Sequence, residues 1–182
     1  MQVRLDQYNN SWYKPGSAFK RFAWHYINGM FFRSGVFPFY GLKVFLLRSF
    51  GAKIGKGVLI KPYVNIKYPW FLQIGDHTWI GENVWIDNLG LVKIGSQVCI
   101  SQGAYLLTGN HDFKKTAFDL MVKNITIEEG VWIGAKSIVC PGVTCKSHSV
   151  LSAGSVLSSD MEASGIYRGN PATKIADRTL TA

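Results

Sequence analysis

The sequence has no long apolar segment. Its longest apolar runs, such as Val36–Tyr40 and Val44–Leu47, are only five and four residues long. A helix needs about 20 apolar residues to span a bilayer. The first seven residues, Met-Gln-Val-Arg-Leu-Asp-Gln, also lack the apolar core of a secretory signal peptide. We therefore expect a cytoplasmic protein, and its 182 residues fit one domain.

Cysteine is scarce as well. The three cysteines, Cys99, Cys140 and Cys145, form no CxxC pair. Their spacing indicates neither a disulfide framework nor a cysteine-based zinc site, so we expect free thiols.

Acidic residues are outnumbered, 11 against 20 lysines and arginines, which gives a net charge of +9. The excess is uneven, because residues 1–50 contain seven basic side chains and a single acid, Asp6. Such a basic end could contact anionic lipid, nucleic acid or a phosphorylated ligand, and charge alone does not distinguish these partners. No nucleic-acid-binding motif accompanies the charge, so we do not expect a nucleic-acid partner.

What the sequence does contain is a six-residue repeat. Four positions after most members of the repeat stands a small or β-branched residue, such as Val58, Thr78 or Ala104. The repeating aliphatic column, which includes one cysteine, consists of Ile54, Ile60, Ile66, Ile74, Ile80, Ile86, Ile94, Ile100, Leu106, Ile127, Ile133, Val139, Cys145, Leu151 and Leu157.

A six-residue period does not fit an amphipathic helix or an ordinary amphipathic strand. An amphipathic helix requires apolar residues three or four positions apart, and an amphipathic strand requires alternation. The period does fit a triangular coil of three short strands, about 18 residues per circuit, whose aliphatic side chains point inward and stack from coil to coil. The repeat therefore predicts an all-β solenoid, a parallel β-helix of about five coils.

The repeat breaks at three places. One interval, from Leu106 to Ile127, is 21 residues long, one circuit plus three. We interpret residues 107–126 as a loop extruded from the coil, and long ordered loops in compact folds are usually functional. Two other intervals are eight residues long and each indicates a two-residue insertion at a corner, namely Ile66 to Ile74 and Ile86 to Ile94.

The ends of a solenoid expose strand edges and need caps. We expect residues 1–53 to form an aromatic and basic N-terminal cap with helical segments interrupted around Gly35–Pro38. Residues 54–160 are then the β-helix, and residues 161–182 a short C-terminal tail or cap. Near the start of that tail we predict a turn over Asp160–Gly169.

Three short blocks resemble the hexapeptide-repeat acyltransferases of the maltose, galactoside and nodulation O-acetyltransferase type, whose repeats build a left-handed β-helix. The runs Trp85–Asn88 and Ile100–Tyr105 most resemble the colanic-acid-type exopolysaccharide acetyltransferases. The resemblance covers some 100 residues of repeat. It implies an acetyl-CoA-dependent O-acetyltransferase that acts on a sugar hydroxyl of a saccharide or exopolysaccharide intermediate and needs no metal. The three blocks are Leu107-Thr108-Gly109-Asn110-His111-Asp112, Val131-Trp132-Ile133-Gly134-Ala135 and Gly169-Asn170-Pro171-Ala172.

The resemblance assigns catalysis to His111, which stands near the start of the extruded loop, where the family keeps a catalytic histidine. O-acetylation requires a base to take the proton from the sugar hydroxyl as it attacks the thioester, and the ordinary pKa of imidazole suits that task. No cysteine or serine shows the paired base needed for a covalent acyl-enzyme, so we expect direct transfer. Asp112 or a backbone carbonyl would orient the ring.

The resemblance also places acetyl-CoA in a groove between neighbouring subunits, and so implies a homotrimer. Small residues in that groove would let the cofactor approach the backbone closely. In the family a basic residue usually follows the Pro-Ala pair directly, whereas here Thr173 intervenes. The positions that match the family's cofactor contacts are Trp132, Gly134, Ala135, Ala153, Ser158 and Lys174.

Three polar residues are candidates for holding the acceptor: Asp87, Asn88 and Asn110. The first two occupy the corner insertion one coil before the loop, where short polar side chains could bind sugar hydroxyls or form an Asx turn. Trp79 and Trp85 flank them, and could stack on a sugar ring or serve as subunit contacts.

Other functions fit the repeat less well. The γ-type carbonic anhydrases share this kind of fold and bind zinc through three histidines, two of them in an H-x4-H pair. Here Thr116 stands five positions after His111, and His77 and His148 lie on distant coils, so the histidines are not expected to converge on a metal. A non-catalytic assembly module would be expected to have an uninterrupted repeat without a histidine in a loop, and this repeat is interrupted by the loop that contains His111. An amine acceptor or a longer acyl donor stays open.

The basic N-terminal segment has two interpretations. It could pack as a cap on the prism and on neighbouring subunits. Alternatively, it could be a peripheral membrane surface at the inner face of the membrane, where five basic residues would meet anionic headgroups. Those residues are Lys20, Arg21, Arg33, Lys43 and Arg48.

Overall fold

The computed structural model describes residues 2–181. Met1 and Ala182, which the predicted cap and tail include, lie outside the described residues. Within this range no helix has both the length and the apolar character that a membrane span requires.

Two helices precede the repeat. Helix α1 (Ala18–Ile27) continues into a π-helical turn at Asn28–Phe32, and α2 (Tyr40–Ser49) follows. The hydroxyl of Ser17 caps α1 by accepting a hydrogen bond from the backbone N–H of Lys20. The predicted interruption around Gly35–Pro38 is confirmed, and a short 3₁₀ turn, Leu5–Gln7, lies near the N-terminus.

From Lys53 onward the chain is a series of short strands. A 3₁₀ turn, Pro69–Phe71, occupies the first of the predicted corner insertions. The strands are β1 (Lys53–Ile54), β2 (Leu59–Ile60), β3 (Asn65–Ile66), β4 (Leu72–Ile74), β5 (Trp79–Ile80), β6 (Trp85–Asp87), β7 (Val92–Ile94), β8 (Cys99–Ile100), β9 (Tyr105–Leu107), β10 (Gly109–His111), β11 (Leu120–Val122), β12 (Ile125–Ile127), β13 (Trp132–Ile133), β14 (Ile138–Val139), β15 (Thr144–Cys145), β16 (Val150–Leu151), β17 (Val156–Leu157), β18 (Gly165–Gly169) and β19 (Ala172–Asp177).

Most of these strands stack into three parallel sheets that form the sides of a triangular prism. Face A contains β1, β4, β7, β12 and β15; face B contains β2, β5, β8, β13, β16 and β18; face C contains β3, β6, β9, β14 and β17. Five coils are complete, and a sixth begins where Met161 pairs with Cys145. The predicted parallel β-helix is confirmed.

The two sequence columns fill the prism. Every member of the aliphatic column from Ile54 to Leu157 is buried, and the members in the first four coils stack on their counterparts one coil later, as Ile54 does on Ile74. The second column, which includes Val58, Thr78 and Ala104, is buried as well. Burial of an aliphatic side chain is worth about 1.5–3 kcal/mol, so the stacked columns are the main source of stability.

The N-terminal cap completes the hydrogen bonds of the first coil. Elsewhere in the prism, the backbone N–H after a column residue donates to a column carbonyl one coil later, as from Gly55 to Ile74 at 2.8 Å. No coil precedes the first, so its three column carbonyls would lack this donor. Side chains of the cap supply it: Arg48 to Ile54 at 2.7 Å, Lys43 to Ile60 at 3.2 Å and Trp24 to Ile66 at 2.7 Å.

Trp24→Phe tests this role of the cap. We expect the variant to lose about 1–3 kcal/mol of unfolding free energy, because the buried Ile66 carbonyl loses its donor while an aromatic ring remains. Urea titration at a fixed protein concentration measures the loss. The matched control is Trp12→Phe, at an exposed indole, which should change stability by less than about 0.5 kcal/mol. Equal losses in the two variants would contradict the role assigned to Trp24.

The C-terminal region corrects one expectation. Gly165–Gly169, predicted to belong to a turn, is strand β18, which pairs in parallel with β16, and β19 folds back antiparallel on it. Tyr167, on β18, is buried in the core of the prism. The open edge of face B provides unpaired backbone groups, and pairing with them overrides the local turn preference of a glycine-rich segment.

Candidate active site

The interruption of the repeat is an antiparallel hairpin (residues 108–124), which we call the catalytic hairpin after the role predicted for His111 from the sequence. It leaves the prism after β9, at the corner between faces C and A, and returns at β12. Strands β10 and β11 pair Gly109 with Val122 and His111 with Leu120.

Residues before α1 lie against the catalytic hairpin. The backbone N–H of Arg4 donates to the carbonyl of Thr116 at 2.8 Å. The ring of Tyr8 lies 5.6 Å from that of His111, centroid to centroid, and the hydroxyl of Tyr13 donates to the carbonyl of Leu89 at 2.7 Å. These N-terminal residues carry no periodic signal, so sequence reasoning missed their part in the site.

The ring of His111 is held from two sides. It stacks on Phe118 with a centroid distance of 4.5 Å and an interplanar angle of 10°, and Nδ1 lies 2.8 Å from the backbone carbonyl oxygen of Phe118. A carbonyl oxygen only accepts hydrogen bonds, so Nδ1 must carry the proton of the neutral ring. Nε2 is then the basic atom, and no group among residues 2–181 is hydrogen-bonded to it. Asp112 does not orient the ring, since its carboxylate accepts from the backbone N–H of Lys114.

His111 lines a cleft of about 350 Å³ between the catalytic hairpin, the N-terminal residues and the corner of the second coil. The cleft brings together three of the predicted site residues, His111, Asn110 and Asp87. Sequence reasoning missed others that line it. Two of them could have been found, because they stand in the other eight-residue interval of the repeat: Lys67 and Tyr68.

Asp87 is the negative charge of this cleft. Its Oδ1 lies 2.8 Å from Nζ of Lys67; the geometry there is not that of a hydrogen bond, so the contact is an ion pair. The hydroxyl of Tyr105 donates to Oδ2 at 3.3 Å. Burial, and next the charge of Asp87, raise the pKa of Tyr105 to about 12. Burial also raises the pKa of Tyr13, so both phenols stay protonated at neutral pH.

Asn88 lies inside the corner and is completely buried. Its Nδ2 donates to the carbonyl of Tyr68 at 2.6 Å, and its Oδ1 accepts from the N–H of Tyr68 at 3.0 Å. Both polar groups of the side chain are therefore occupied in joining the two corner insertions. Asn88 does not line the cleft of His111.

Four of the residues expected to contact the cofactor lie around one edge of the prism. Trp132 points outward from face B, is 47% exposed and donates through Nε1 to Oγ of Ser101 at 2.9 Å. Gly134 and Ala135 form the following corner, between faces B and C, and Ala153 takes the same corner one coil later. A Cβ at Gly134 would lie 2.5 Å from the backbone nitrogen of Ala153, so only glycine permits this stacking.

The other two expected cofactor residues lie elsewhere. Ser158 is exposed at the corner between faces C and A, after β17. Lys174 lies on β19, and its Nζ is 2.6 Å from Oδ1 of Asp177.

Within one chain, His111 and the corner of Gly134 are on different edges of the prism. Face C separates them, and six residues at about 3.3 Å per residue amount to about 20 Å. A single copy of the chain therefore does not bring the histidine and this group of residues together.

The outward side chains differ among the three faces. On face A they are polar, including Lys53, Gln73 and Lys93. On face B they form the apolar column Leu59, Trp79, Cys99, Trp132, Val150 and Ile166. On face C the column contains Asn65, Trp85, Tyr105, Ile138 and Val156. Faces B and C thus expose apolar surface that a monomer would leave in water.

The remaining histidines of the repeat have structural positions. His77 and His148 both lie at corners between faces A and B with positive φ, of 54° and 61°. Each packs on a glycine of the preceding coil, and a Cβ at Gly57 would lie 2.4 Å from Nδ1 of His77. Across residues 2–181, no three His, Cys, Asp or Glu side chains are grouped as metal ligands would be.

Comparison with known proteins decides the family. Over 169 residues, 93% of this chain and 93% of the relative, the sequence is 39% identical to WcaF of Escherichia coli strain K12, which is named for an acetyltransferase of colanic acid biosynthesis. This chain belongs to the hexapeptide-repeat acetyltransferases. It is also 29% identical over 136 residues to galactoside O-acetyltransferase of E. coli, covering 72% of this chain and 66% of that enzyme. No model of a protein family matches the chain.

A solved structure of this acetyltransferase family shares the fold. A hexapeptide-repeat acetyltransferase from Vibrio cholerae O1 biovar eltor, complexed with acetyl coenzyme A, superposes with a TM-score of 0.80 at 24% identity, covering 90% of this chain and 91% of that one. The expected left-handed parallel β-helix is confirmed, and so is the assignment of the chain as an acetyltransferase.

Proposed function

We propose that this acetyltransferase transfers the acetyl group of acetyl-CoA to a sugar hydroxyl of a saccharide or exopolysaccharide intermediate. The observation that carries the proposal is the placement of His111, whose Nδ1 is committed to the Phe118 carbonyl while Nε2 stays basic in the cleft. The relatives supply the substrate classes: one is named for colanic acid biosynthesis, one for galactosides, and a structural neighbour holds acetyl-CoA.

The geometry supports direct transfer. Nε2 of His111 takes the hydroxyl proton, the hydroxyl oxygen bonds to the thioester carbonyl carbon, and the carbon–sulfur bond breaks. Coenzyme A leaves as a thiolate, which receives the proton back from the imidazolium. The Phe118 carbonyl, which accepts from Nδ1–H, holds the ring and stabilises its charged form.

Cys140 and Cys145 do not favour a covalent intermediate. Burial raises the pKa of the Cys145 thiol and that of Cys140. A thiol is nucleophilic as its thiolate, so these side chains stay unreactive at neutral pH. In this proposal the acceptor hydroxyl attacks acetyl-CoA itself, and Asp87 and Asn110 hold the acceptor beside His111.

We further propose a homotrimer, in which the groove between two copies holds acetyl-CoA. Trp132, Gly134, Ala135 and Ala153 of one copy would meet His111 of the next. Two observations support the trimer. Within one chain, His111 and the group of residues around Trp132 lie on different edges of the prism, and the outward columns of faces B and C are apolar. Ser158 and Lys174 would contact the nucleotide end, for which Lys174 must exchange Asp177 for a phosphate.

An acceptor screen tests the proposed function. Purified protein is given acetyl-CoA with sugars, glycosides and amino sugars, and released thiol is measured together with acetylated product. We expect O-acetyl product that depends on His111. Transfer only to amino groups would favour the N-acetyl alternative. A protein that neither binds nor hydrolyses acetyl-CoA would instead be a non-catalytic assembly module.

A second proposal concerns the membrane. The outer side of α1 and the turn after it exposes four large apolar side chains, 56–81% accessible, with the exposed Arg21 on the same helix. Lys20 does not join them, since its Nζ lies 4.6 Å from the ring centroid of Trp70. This combination suits binding in the headgroup region of an anionic membrane, at its cytoplasmic face. Lys43 and Arg48, expected to meet headgroups, point inward to the first coil instead. The four apolar residues are Phe19, Phe22, Tyr26 and Met30.

Vesicle sedimentation decides this second proposal. We expect the protein to sediment with phosphatidylglycerol vesicles at low salt, and the double variant Phe19→Ser with Phe22→Ser to stay in the supernatant. Neutral phosphatidylcholine vesicles are the control. If wild-type protein fails to sediment with the anionic vesicles, the N-terminal segment is a cap alone.

A further inference from the structure

The cleft of His111 continues into a second cleft along α1. This second cleft, of about 330 Å³, lies between α1, the turn after it and the outward side of face C. Four residues line both clefts, Arg21, Lys67, Tyr68 and Asp87. The two clefts therefore adjoin, with His111 at one end, and we call them together the acceptor groove.

The acceptor groove has an excess of positive charge. Arg21, Arg33 and Lys67 line its second part against one carboxylate, Asp87, which leaves a net charge of +2. Lys67 is already paired with Asp87. Among residues 2–181, the guanidinium groups of Arg21 and Arg33 have neither a hydrogen bond nor an ion pair. Arginine binds phosphate oxygens through two parallel hydrogen bonds, so two uncommitted guanidinium groups suit a phosphoryl group.

An aromatic surface lies beside these charges. Trp85 lines the second part of the groove, is 43% exposed and stacks on Tyr105 at a centroid distance of 4.8 Å and an angle of 18°. The hydroxyl of Tyr105 reaches Asp87, which connects this surface to the part of the groove that holds His111. A rigid aromatic face with polar groups at its rim is suited to a sugar ring.

We propose that the acceptor is a glycosyl phosphate or diphosphate, whose phosphoryl group binds Arg21 and Arg33 while its sugar lies between Trp85 and His111. The inference rests on the proposed function and names the chemical class of its acceptor. A phosphate monoester carries a charge of about −1.5 to −2 at neutral pH, which complements the excess charge of the groove. Nucleotide-linked and lipid-linked sugars are diphosphate diesters, which carry one negative charge on each phosphoryl group and present the same phosphoryl oxygens to the two arginines.

Binding of inorganic pyrophosphate tests the site without catalysis. We use Arg33→Gln, because Arg33 lines only the second part of the groove, and Lys56→Gln as a matched control at an exposed corner between faces A and B. Calorimetry at fixed ionic strength should show a Kd raised about tenfold or more in Arg33→Gln, the size expected for a lost charge-assisted hydrogen bond. The control should match wild type. Equal affinity in all three proteins would overturn the proposal.

Kinetics then distinguish the sources of the phosphate. The acceptors compared are galactose, galactose 1-phosphate, UDP-galactose, a polyprenyl-diphosphate galactose and galacturonate. Arg33→Gln should raise KM for the phosphorylated acceptors and leave KM for galactose unchanged, with kcat little altered. The lower KM of the nucleotide or the lipid compound identifies the source, and either result supports the proposal. An equal effect of Arg33→Gln on galacturonate and the phosphates would overturn the assignment to phosphate.

Failure of the inference and failure of the proposed function give different results. Acetyl transfer to neutral galactose with no effect of Arg33→Gln on any acceptor would overturn the inference alone. Conversely, the protein could bind pyrophosphate in a way that requires Arg33 and yet acetylate none of the acceptors. That result would support the anion site and contradict the proposed O-acetyltransferase function.

Discussion

His111→Asn is expected to lower kcat for acetyl transfer by about 10²–10⁴-fold, the usual contribution of a positioned general base. Asparagine has a similar size, and its amide can still donate a hydrogen bond to the Phe118 carbonyl. It cannot take a proton from the acceptor hydroxyl at neutral pH. The loss should therefore fall on kcat, with KM for acetyl-CoA little changed, in a thiol-release assay on the best acceptor.

The matched control for this variant is His77→Asn. His77 has positive φ at a corner far from the catalytic hairpin, and asparagine tolerates that backbone conformation. We expect wild-type kcat from the control, and similar melting temperatures for both variants. Turnover at the wild-type rate in His111→Asn would show that His111 is not the base.

Mixed trimers of two inactive variants are expected to regain activity, which is the second large effect that we predict. His111→Asn removes the base, and Trp132→Ala removes an exposed side chain from the proposed cofactor groove, so each variant alone should be nearly inactive. If each site takes His111 from one copy and Trp132 from the next, every trimer that contains both variants has one intact site, so the purified mixed trimers should regain about one third of the wild-type sites. Co-expression of two differently tagged chains, followed by double-affinity purification, provides the mixed oligomers.

The mixing experiment has its own control. Oligomers that combine His111→Asn with His111→Ala contain no intact site and should stay inactive. If the site were formed within one chain, the His111→Asn and Trp132→Ala mixture would show only the average of the two residual activities. That result, or a monomer in sedimentation velocity, would contradict the shared site.

The sequence predicted the prism well because the core is a repeat. Each column residue meets the same surroundings one coil later, so burial of Ile54, Ile60 and their counterparts could be deduced from spacing alone. Interruptions of the spacing were equally informative. They located the catalytic hairpin with His111 and the corner with Asp87. Extra residues that do not fit the repeating core have to be placed outside it, at a corner or in a hairpin.

The features that were missed depend on contacts between distant parts of the chain. Nothing in the pattern indicates that Tyr8 lies on His111, or that Trp24, Lys43 and Arg48 donate to the first coil. The hairpin of β18 and β19 likewise depends on the open edge of face B. From its own residues, Gly165–Gly169 was predicted to belong to a turn. The sheet edge that it pairs with is formed by β16, which a local sequence pattern does not include.

Rescue of His111→Ala by imidazole is the most direct test of His111 as the general base. Removing the side chain leaves space at the end of the cleft, and added imidazole can supply the missing base there. If His111 is the general base, acetylated product and released thiol will rise together, in equal amounts, and saturate with imidazole concentration. Phe118→Leu should lower the rescued rate, because the stacking partner of the ring is lost. A folded His111→Ala protein that binds acetyl-CoA and keeps wild-type turnover without imidazole would show that His111 is not the general base.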